Sequence, residues 1–283
     1  SGAETTQFNN HPAADILKGI EADASAAALL PALATAAGAL KVGSNIQVPP
    51  ANFYDTDGKT PVGFEVDLSV ALAKALGVEA EFHDFAFEAL ITSLESGRID
   101  FTIANMNDTA ERQKKIDFVN YFNSGVGIMV QAANPAGITT EADLCGQKVS
   151  AGTGTSDEAW ALEFSKECVA QGKKPIEVVT NTNTQQRMNE LRTGRVAAEL
   201  NTITTLVYMA ATIGDGKEFK VVDLPPLNAA LYGIGVNKST PEIRDALKAS
   251  LQSLIDDGTY EKIFTAWGVQ AGMVKEATIN AGG

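Results

Sequence analysis

Histidine, cysteine and tryptophan each occur only twice in this 283-residue chain, and its 22 basic residues are outnumbered by 35 acidic ones. Each shortage excludes something. His11 and His83 are the only imidazoles, so a Ser/His/Asp set has no obvious base, and no His/Cys group has metal-ligand spacing. Neither a metal nor any other cofactor is expected, and no residue is assigned a catalytic role. A net charge of −13 without a Lys/Arg cluster argues against tracking a phosphate backbone, so no nucleic-acid partner is expected. No run reaches the ~18 apolar residues of a membrane span. The Ala-rich stretch 22–40 comes nearest, but Asp23, Ser25, Pro31, Thr35 and Gly38 interrupt it. It reads as a short helix broken before Pro31 and packed on the body. Residues 1–10 read as a flexible polar tether, and the absence of a recognisable leader reads as a mature or trimmed chain.

What is present suits a globular protein with a real core: 45% hydrophobic and 20% charged residues. Cys145 and Cys168 are compatible with one disulfide or with two buried thiols. Along the chain, strands at 40–44, 78–83 and 99–104 alternate with helices at 63–76 and 87–95. The same order returns with strands at 147–151, 176–180 and 196–200 and helices at 156–170 and 185–191, which points to parallel sheets. The halves echo each other in sequence. Ser93-Leu94-Glu95-Ser96-Gly97-Arg98-Ile99 and Glu190-Leu191-Arg192-Thr193-Gly194-Arg195-Val196 both end a helix at Gly and enter a strand through Arg. Two lobes are therefore expected. Apolar strands at 125–131 and 231–236 flank the second copy, so lobe 1 is expected at 39–130 plus 231–275, lobe 2 at 131–230, and the tether and short helix at 1–38. Thr240-Pro241 should open a helix running to Asp257-Gly258, followed by another over 260–267.

Ligands of open α/β sheets bind beyond the C-terminal strand ends, and three loops there carry chemistry. One begins at Asn45. Another, Asn105-Met106-Asn107-Asp108-Thr109-Ala110-Glu111-Arg112, gives Asp108 and Glu111 the spacing of a capping box, with a helix starting near Thr109. Arg112 then sits in a first turn, where the macrodipole disfavours a cation. A planar guanidinium placed there suits a carboxylate, either of a ligand or of a neighbouring Asp or Glu. The third loop, Gly152-Thr153-Gly154-Thr155-Ser156-Asp157-Glu158, leads glycines into a helix N-terminus capped by Thr155 and Glu158. It lacks the ending of a nucleotide P-loop. The carboxylate pairs Glu65/Asp67 and Asp256/Asp257 read as solvated helix faces.

The ordered series Leu40-Lys41-Val42-Gly43, Gly63-Phe64-Glu65-Val66-Asp67-Leu68, Ala89-Leu90-Ile91, Ser96-Gly97-Arg98-Ile99-Asp100, Thr109-Ala110-Glu111-Arg112, Ile116-Asp117-Phe118, Gly152-Thr153-Gly154-Thr155 and Asp257-Gly258-Thr259-Tyr260 resembles the polar-amino-acid class (family 3) of bacterial extracellular solute-binding proteins. These serve ABC importers. The stretch 117–122, the paired cysteines and the ending Trp267-Gly268-Val269-Gln270-Ala271-Gly272-Met273 are similar to the actinobacterial branch. The resemblance implies an α/β fold of the periplasmic-binding-protein-like type II, with two α/β lobes joined by two crossing strands and a ligand cleft between them. It implies a Cys145–Cys168 disulfide and an extracytoplasmic protein, secreted or held on the cell surface by a lipid. Its implied partners are a small carboxylate or amino-acid-like ligand and the importer's membrane permease, with the protein itself a monomer. Arg112 would grip the ligand carboxylate. Gly152, Thr155 and Ser156 would touch it from lobe 2, Phe87 would pack on its side chain, and Asn45, Ala104, Asn105 and Asn107 would line lobe 1.

Departures from the pattern matter for the ligand. Thr202 and Asn45 stand where the family commonly has Asp, Val48 where an aromatic is common, and Asn105 and Asn107 where Ser or Thr is common. The expected site has kept its cation and lost its anions. The ligand is then a carboxylate without a conventionally held α-ammonium, or that group goes to Asp157 or Glu199. An alternative function on the same scaffold is a cyclohexadienyl dehydratase-like enzyme with Glu199 or Asp157 as its acid; a sensory domain is a third.

Overall fold

The computed structural model describes residues 8–283, so most of the expected tether, residues 1–7, lies outside the described residues. What remains of it is tied down: Asn10 Nδ2 donates to Asp55 Oδ1 at 2.9 Å, and His11 Nε2 lies 2.6 Å from Asp55 Oδ2. In chain order the strands are β1 (Ala39–Ser44), β2 (Phe53–Tyr54), β3 (Pro61–Val62), β4 (Glu79–Asp84), β5 (Phe101–Thr102), β6 (Ile116–Gln131), β7 (Lys148–Ala151), β8 (Glu177–Thr180), β9 (Ala198–Thr202), β10 (Phe219–Val221), β11 (Leu227–Asn237) and β12 (Met273–Ile279). They fall into two units. A discontinuous unit holds Asn9–Asn123 and Ala230–Gly283; an inserted unit holds Ser124–Ala229 together with Phe8. The chain passes from one to the other inside β6 and returns inside β11.

The sequence echo is a structural repeat. In the discontinuous unit the parallel order is β4-β1-β5, and in the inserted unit it is β8-β7-β9, so each repeat sets its first strand between its second and third. Helices Phe64–Ala75 and Leu90–Glu95 make the first repeat's connections, and Ser156–Ala170 and Thr184–Arg192 the second's. The helix stops also match. Gly97 and Gly194 both have φ 75°, a left-handed conformation that costs glycine nothing. Arg98 N donates to Ser93 O at 3.0 Å and Arg195 N to Glu190 O at 2.9 Å, the six-to-one closure of a Schellman motif.

Periodicity explains the packing of each unit. Leu40 and Val42, on one face of β1, are fully buried, and so are Phe64, Leu68 and Leu72 of the helix that follows. Phe64 meets Phe264 edge-on, ring centroids 5.4 Å apart, which brings the helix Thr259–Ala266 into the same core. In the inserted unit Val149, Ala151, Ala161, Ala198 and Leu200 form the core. Each large side chain so buried contributes about 1.5–3 kcal/mol. Cys145 and Cys168 form a disulfide across a sequence separation of 23, worth about 3 kcal/mol by loop entropy.

Several elements differ from expectation. The Ala-rich stretch forms two short helices, Ala24–Ala27 and Ala32–Ala37, the second entered through Pro31. The strand expected from 125 begins nine residues earlier, at Ile116, because the alternation that marks its start is hidden where both faces are buried. The hairpin β2–β3, the helix Ile203–Thr212 and β12 were not anticipated.

Candidate functional site

In the discontinuous unit, the expected ligand residues follow the C-terminal ends of its three parallel strands: Asn45 after β1, Phe87 after β4, and Ala104, Asn105 and Asn107 after β5. Ala104 is buried in one apolar cluster with Leu90 and Met106, and Phe87 packs against that cluster. Thr109 caps the short helix Ala110–Gln113, its Oγ1 accepting from Arg112 N at 3.2 Å. The cap is therefore one residue later than the spacing of Asp108 and Glu111 suggested. Asp108 is 3% exposed and its carboxylate is used elsewhere, by Gln113 and Asn120.

Arg112 is held as a presented cation. Its guanidinium lies over the Phe87 ring, 5.4 Å from the centroid, and Nη1 donates to Asn107 O at 2.8 Å. The obvious local counter-ion, Glu111, pairs with Lys114 at 2.7 Å instead. Among the described residues no carboxylate lies within ion-pair distance of Arg112. Two acceptors of the same loops are also unused: Asn45 Oδ1 and Asn105 Oδ1 are buried without a hydrogen-bond partner. An orphaned buried acceptor costs about 1–3 kcal/mol, which a donating ligand would recover.

Glu65 holds this loop from beneath, and the expectation of a solvated helix face at Glu65/Asp67 is overturned. Glu65 is 0% exposed; it accepts from Asn105 N at 2.8 Å and from Tyr121 Oη and Asn52 Nδ2 at shorter range. Burial pushes its carboxyl up to about 7, against the lowering pull of those three donors. Asn105 has φ 50°, so the Glu65 bond secures a backbone conformation that asparagine tolerates better than most residues. Asp67 is pushed up to about 6 by burial while Trp267 Nε1 donates to it at 2.7 Å. The missed signal was helical spacing: Glu65, Leu68, Ser69 and Leu72 share one stripe.

The inserted unit carries Gly152, Thr155, Ser156 and Thr202. A Cβ on Gly152 would stand 2.9 Å from Thr155 Cγ2, so the turn into the helix Ser156–Ala170 admits only glycine without rearrangement. Thr155 Oγ1 accepts from Glu158 N at 3.2 Å and donates to Gly152 O at 2.7 Å. Glu158 returns its carboxylate to Gly154 N, at 2.6 Å, rather than to Thr155 as a reciprocal box would require. Thr202 ends β9 and opens the helix Ile203–Thr212 without a side-chain cap bond. Glu199 is half engaged. It is fully buried and its Oε1 receives Arg187 Nε at 2.9 Å, while Arg187 Nη1 donates to Asn181 O at 2.6 Å. Glu199 Oε2 is buried without a hydrogen-bond partner, as are Asn45 Oδ1 and Asn105 Oδ1. Burial raises the Asp157 carboxyl, with Arg187 pulling it down. Among the described residues no His/Cys/Asp/Glu group could hold a metal ion.

Repeated α/β units joined by two strand crossings, with a presented guanidinium and unfilled acceptors at strand ends, define a protein that binds a small solute. The model of the bacterial extracellular solute-binding proteins, family 3, matches residues 40–270, and the chain belongs to that family. It is 29% identical to the arginine-binding protein of Corynebacterium glutamicum, over 89% of this chain and 82% of that one. It is 31% identical to the L-cystine-binding protein of Escherichia coli, over 81% and 82%. Among solved structures, an ancestral cationic amino acid solute-binding protein matches with TM-score 0.67 and 30% identity, covering 83% of this chain and 97% of that one. The fold is that of the type II periplasmic binding proteins. The protein is thus an extracytoplasmic receptor serving an ABC importer, and it acts by binding rather than by catalysis.

Proposed function

We propose that the receptor captures a polar amino acid, with its carboxylate on Arg112 and its ammonium donating to Asn45 Oδ1 and Asn105 Oδ1. The observation that carries this reading is the Arg112 guanidinium, stacked over Phe87 and without a carboxylate partner among the described residues. The two orphaned asparagine oxygens supply neutral acceptors on neighbouring strand ends, where Asp is the commoner solution. The amide oxygens belong to the strand-end loops of the same unit as Arg112, whereas Glu199 lies in the other unit with Oε1 already bonded to Arg187 and only Oε2 unpartnered. Phe87, Ala104 and Asn107 complete this set, and Gly152, Thr155, Ser156 and Thr202 are the inserted unit's contribution. The arginine- and cystine-binding relatives support an amino-acid ligand. The reading extends to an actinobacterial-like branch, supported by the Corynebacterium relative, and to a receptor that works as a monomer.

Thermal unfolding across a panel of L-arginine, L-cystine, L-histidine, betaines and simple carboxylates tests the ligand class. Saturation at 100 times the dissociation constant adds about 2.7 kcal/mol and a visible shift. A shift with free amino acids, cut to about a third or less in Arg112→Ala, is expected. A shift confined to carboxylates without an amine would remove the ammonium part of the proposal.

A further inference from the structure

The family match ends at residue 270, yet the chain continues into β12 and a terminal segment that is thoroughly bonded. β12 runs antiparallel to β6, with Thr278 opposite Asn120 and Ile279 opposite Val119. Beyond it, Asn280 takes φ 53° and exchanges two bonds with Phe118: Asn280 Oδ1 accepts from Phe118 N at 2.7 Å, and Asn280 N donates to Phe118 O at 3.0 Å. The segment then reaches the Arg112 loop from both sides. Before Arg112, Asp108 Oδ2 accepts from Gly282 N at 3.0 Å and from the buried Asn120 Nδ2 at 2.9 Å. After Arg112, Gln113 Nε2 donates to Asn280 O at 3.2 Å as well as to Asp108 Oδ1 at 2.7 Å. Contact is close enough that a Cβ on Gly282 would stand 2.6 Å from Asp108 O.

From this geometry we infer that the segment 278–283 is a strap that positions Arg112, with Asn280 and Gly282 acting as positioning residues through Asp108 and Gln113. The inference rests on the proposed role of Arg112 and deepens it. A four-residue helix has little rigidity of its own. Two flanking side chains fixed to the segment that follows β12 supply what it lacks, and a guanidinium that must meet two carboxylate oxygens depends on such support.

The test uses the full chain with Asn280→Ala, Gly282→Ala and Gly282→Val, read by amide hydrogen exchange over 110–113 and by calorimetric affinity for L-arginine and L-argininamide. The strap predicts exchange at 110–113 at least tenfold faster in Asn280→Ala and Gly282→Val, with exchange in the inserted unit unchanged. It also predicts that the preference for L-arginine over its carboxylate-free amide falls about tenfold, with Gly282→Ala in between. General destabilisation would weaken both probes alike and leave their ratio untouched. Unchanged exchange at 110–113 overturns the strap whatever the probes do. If Arg112→Ala leaves the arginine-to-amide ratio unaltered, the carboxylate role of Arg112 is what fails; if neither probe binds, the ligand is not arginine; in both cases exchange alone decides the strap.

Discussion

Among the described residues each unit buries one glutamate completely, and the two are handled in opposite ways. In the inserted unit Glu199 is matched to a guanidinium, Arg187, itself nearly buried. In the discontinuous unit Glu65 receives only neutral donors, a backbone amide, a phenol and a side-chain amide, and its carboxyl is pushed up to about 7. The difference explains the arginines. The inserted unit consumes its cation internally, whereas the discontinuous unit settles its buried acid without one and leaves Arg112 available at the surface of the strand ends. On the role proposed for Arg112, keeping the unit's own acids off that cation leaves it free for a ligand carboxylate.

The comparison can be broken most forcefully at Arg187. Arg187→Ala strands Glu199 as an unpaired buried charge, and a loss of about 3–5 kcal/mol is expected. Urea unfolding followed by Trp160, which lies in the inserted unit stacked on Phe164, is the measurement. Replacing Arg187 and Glu199 together by apolar residues should cost much less; an equal cost would mean that the pair is not electrostatically coupled. Next in size is the disulfide, which staples the inserted repeat and has no counterpart in the other. Cys145→Ser with Cys168→Ser should lower stability by about 3 kcal/mol. Trp160 should report the earlier unfolding and Trp267, in the discontinuous unit, should lag.

Arg112→Ala should leave unfolding nearly unchanged while weakening an amino-acid ligand by about 2–3 kcal/mol, roughly 30- to 150-fold. Arg112→Lys should recover only part, since an ammonium cannot bond both carboxylate oxygens in parallel. The smallest effect is a pH slope. Glu65 has a folded pKa raised from 4.5 to about 7, so the folded state binds the extra proton. Its contribution is full below about 4.5 and is lost as pH rises through about 7, at no more than about 1.4 kcal/mol per pH unit. Asp67, raised to about 6, adds the same sign lower in that window. Glu65→Gln should flatten the stability profile between pH 6 and 7.5; an unaltered slope there would assign the proton elsewhere.

Much of the fold was legible because it rests on local chemistry. Helix stops at Gly97 and Gly194, the caps at Thr155 and Thr240 and the alternation of strands with helices all leave marks within a few residues. Arg112 was singled out on a local argument too, as a cation expected in a first turn; its helix has only four residues, so it lies in the last turn as well. What escaped is long-range. Glu65 looked like half of a charged pair because its partners, Asn105 and Tyr121, are 40 and 56 residues away. Asp108 looked like a cap because nothing local betrays a bond to Gly282, 174 residues on. β12 has too little alternation to stand out, and its register is set by β6 rather than by its own sequence.

The passage of the chain through β6 and back through β11 has a consequence for how the protein is made. Emerging from a ribosome, the inserted unit has every one of its strands once residue 229 is out, and its disulfide partners well before that. The discontinuous unit must wait for residues 230–283, several seconds more at about 5–20 residues per second. During that interval β5 lacks the neighbour that β11 provides, and β6 lacks β12. The half that begins first is finished last, so the exposed edges of the nascent chain belong to the unit that carries Arg112.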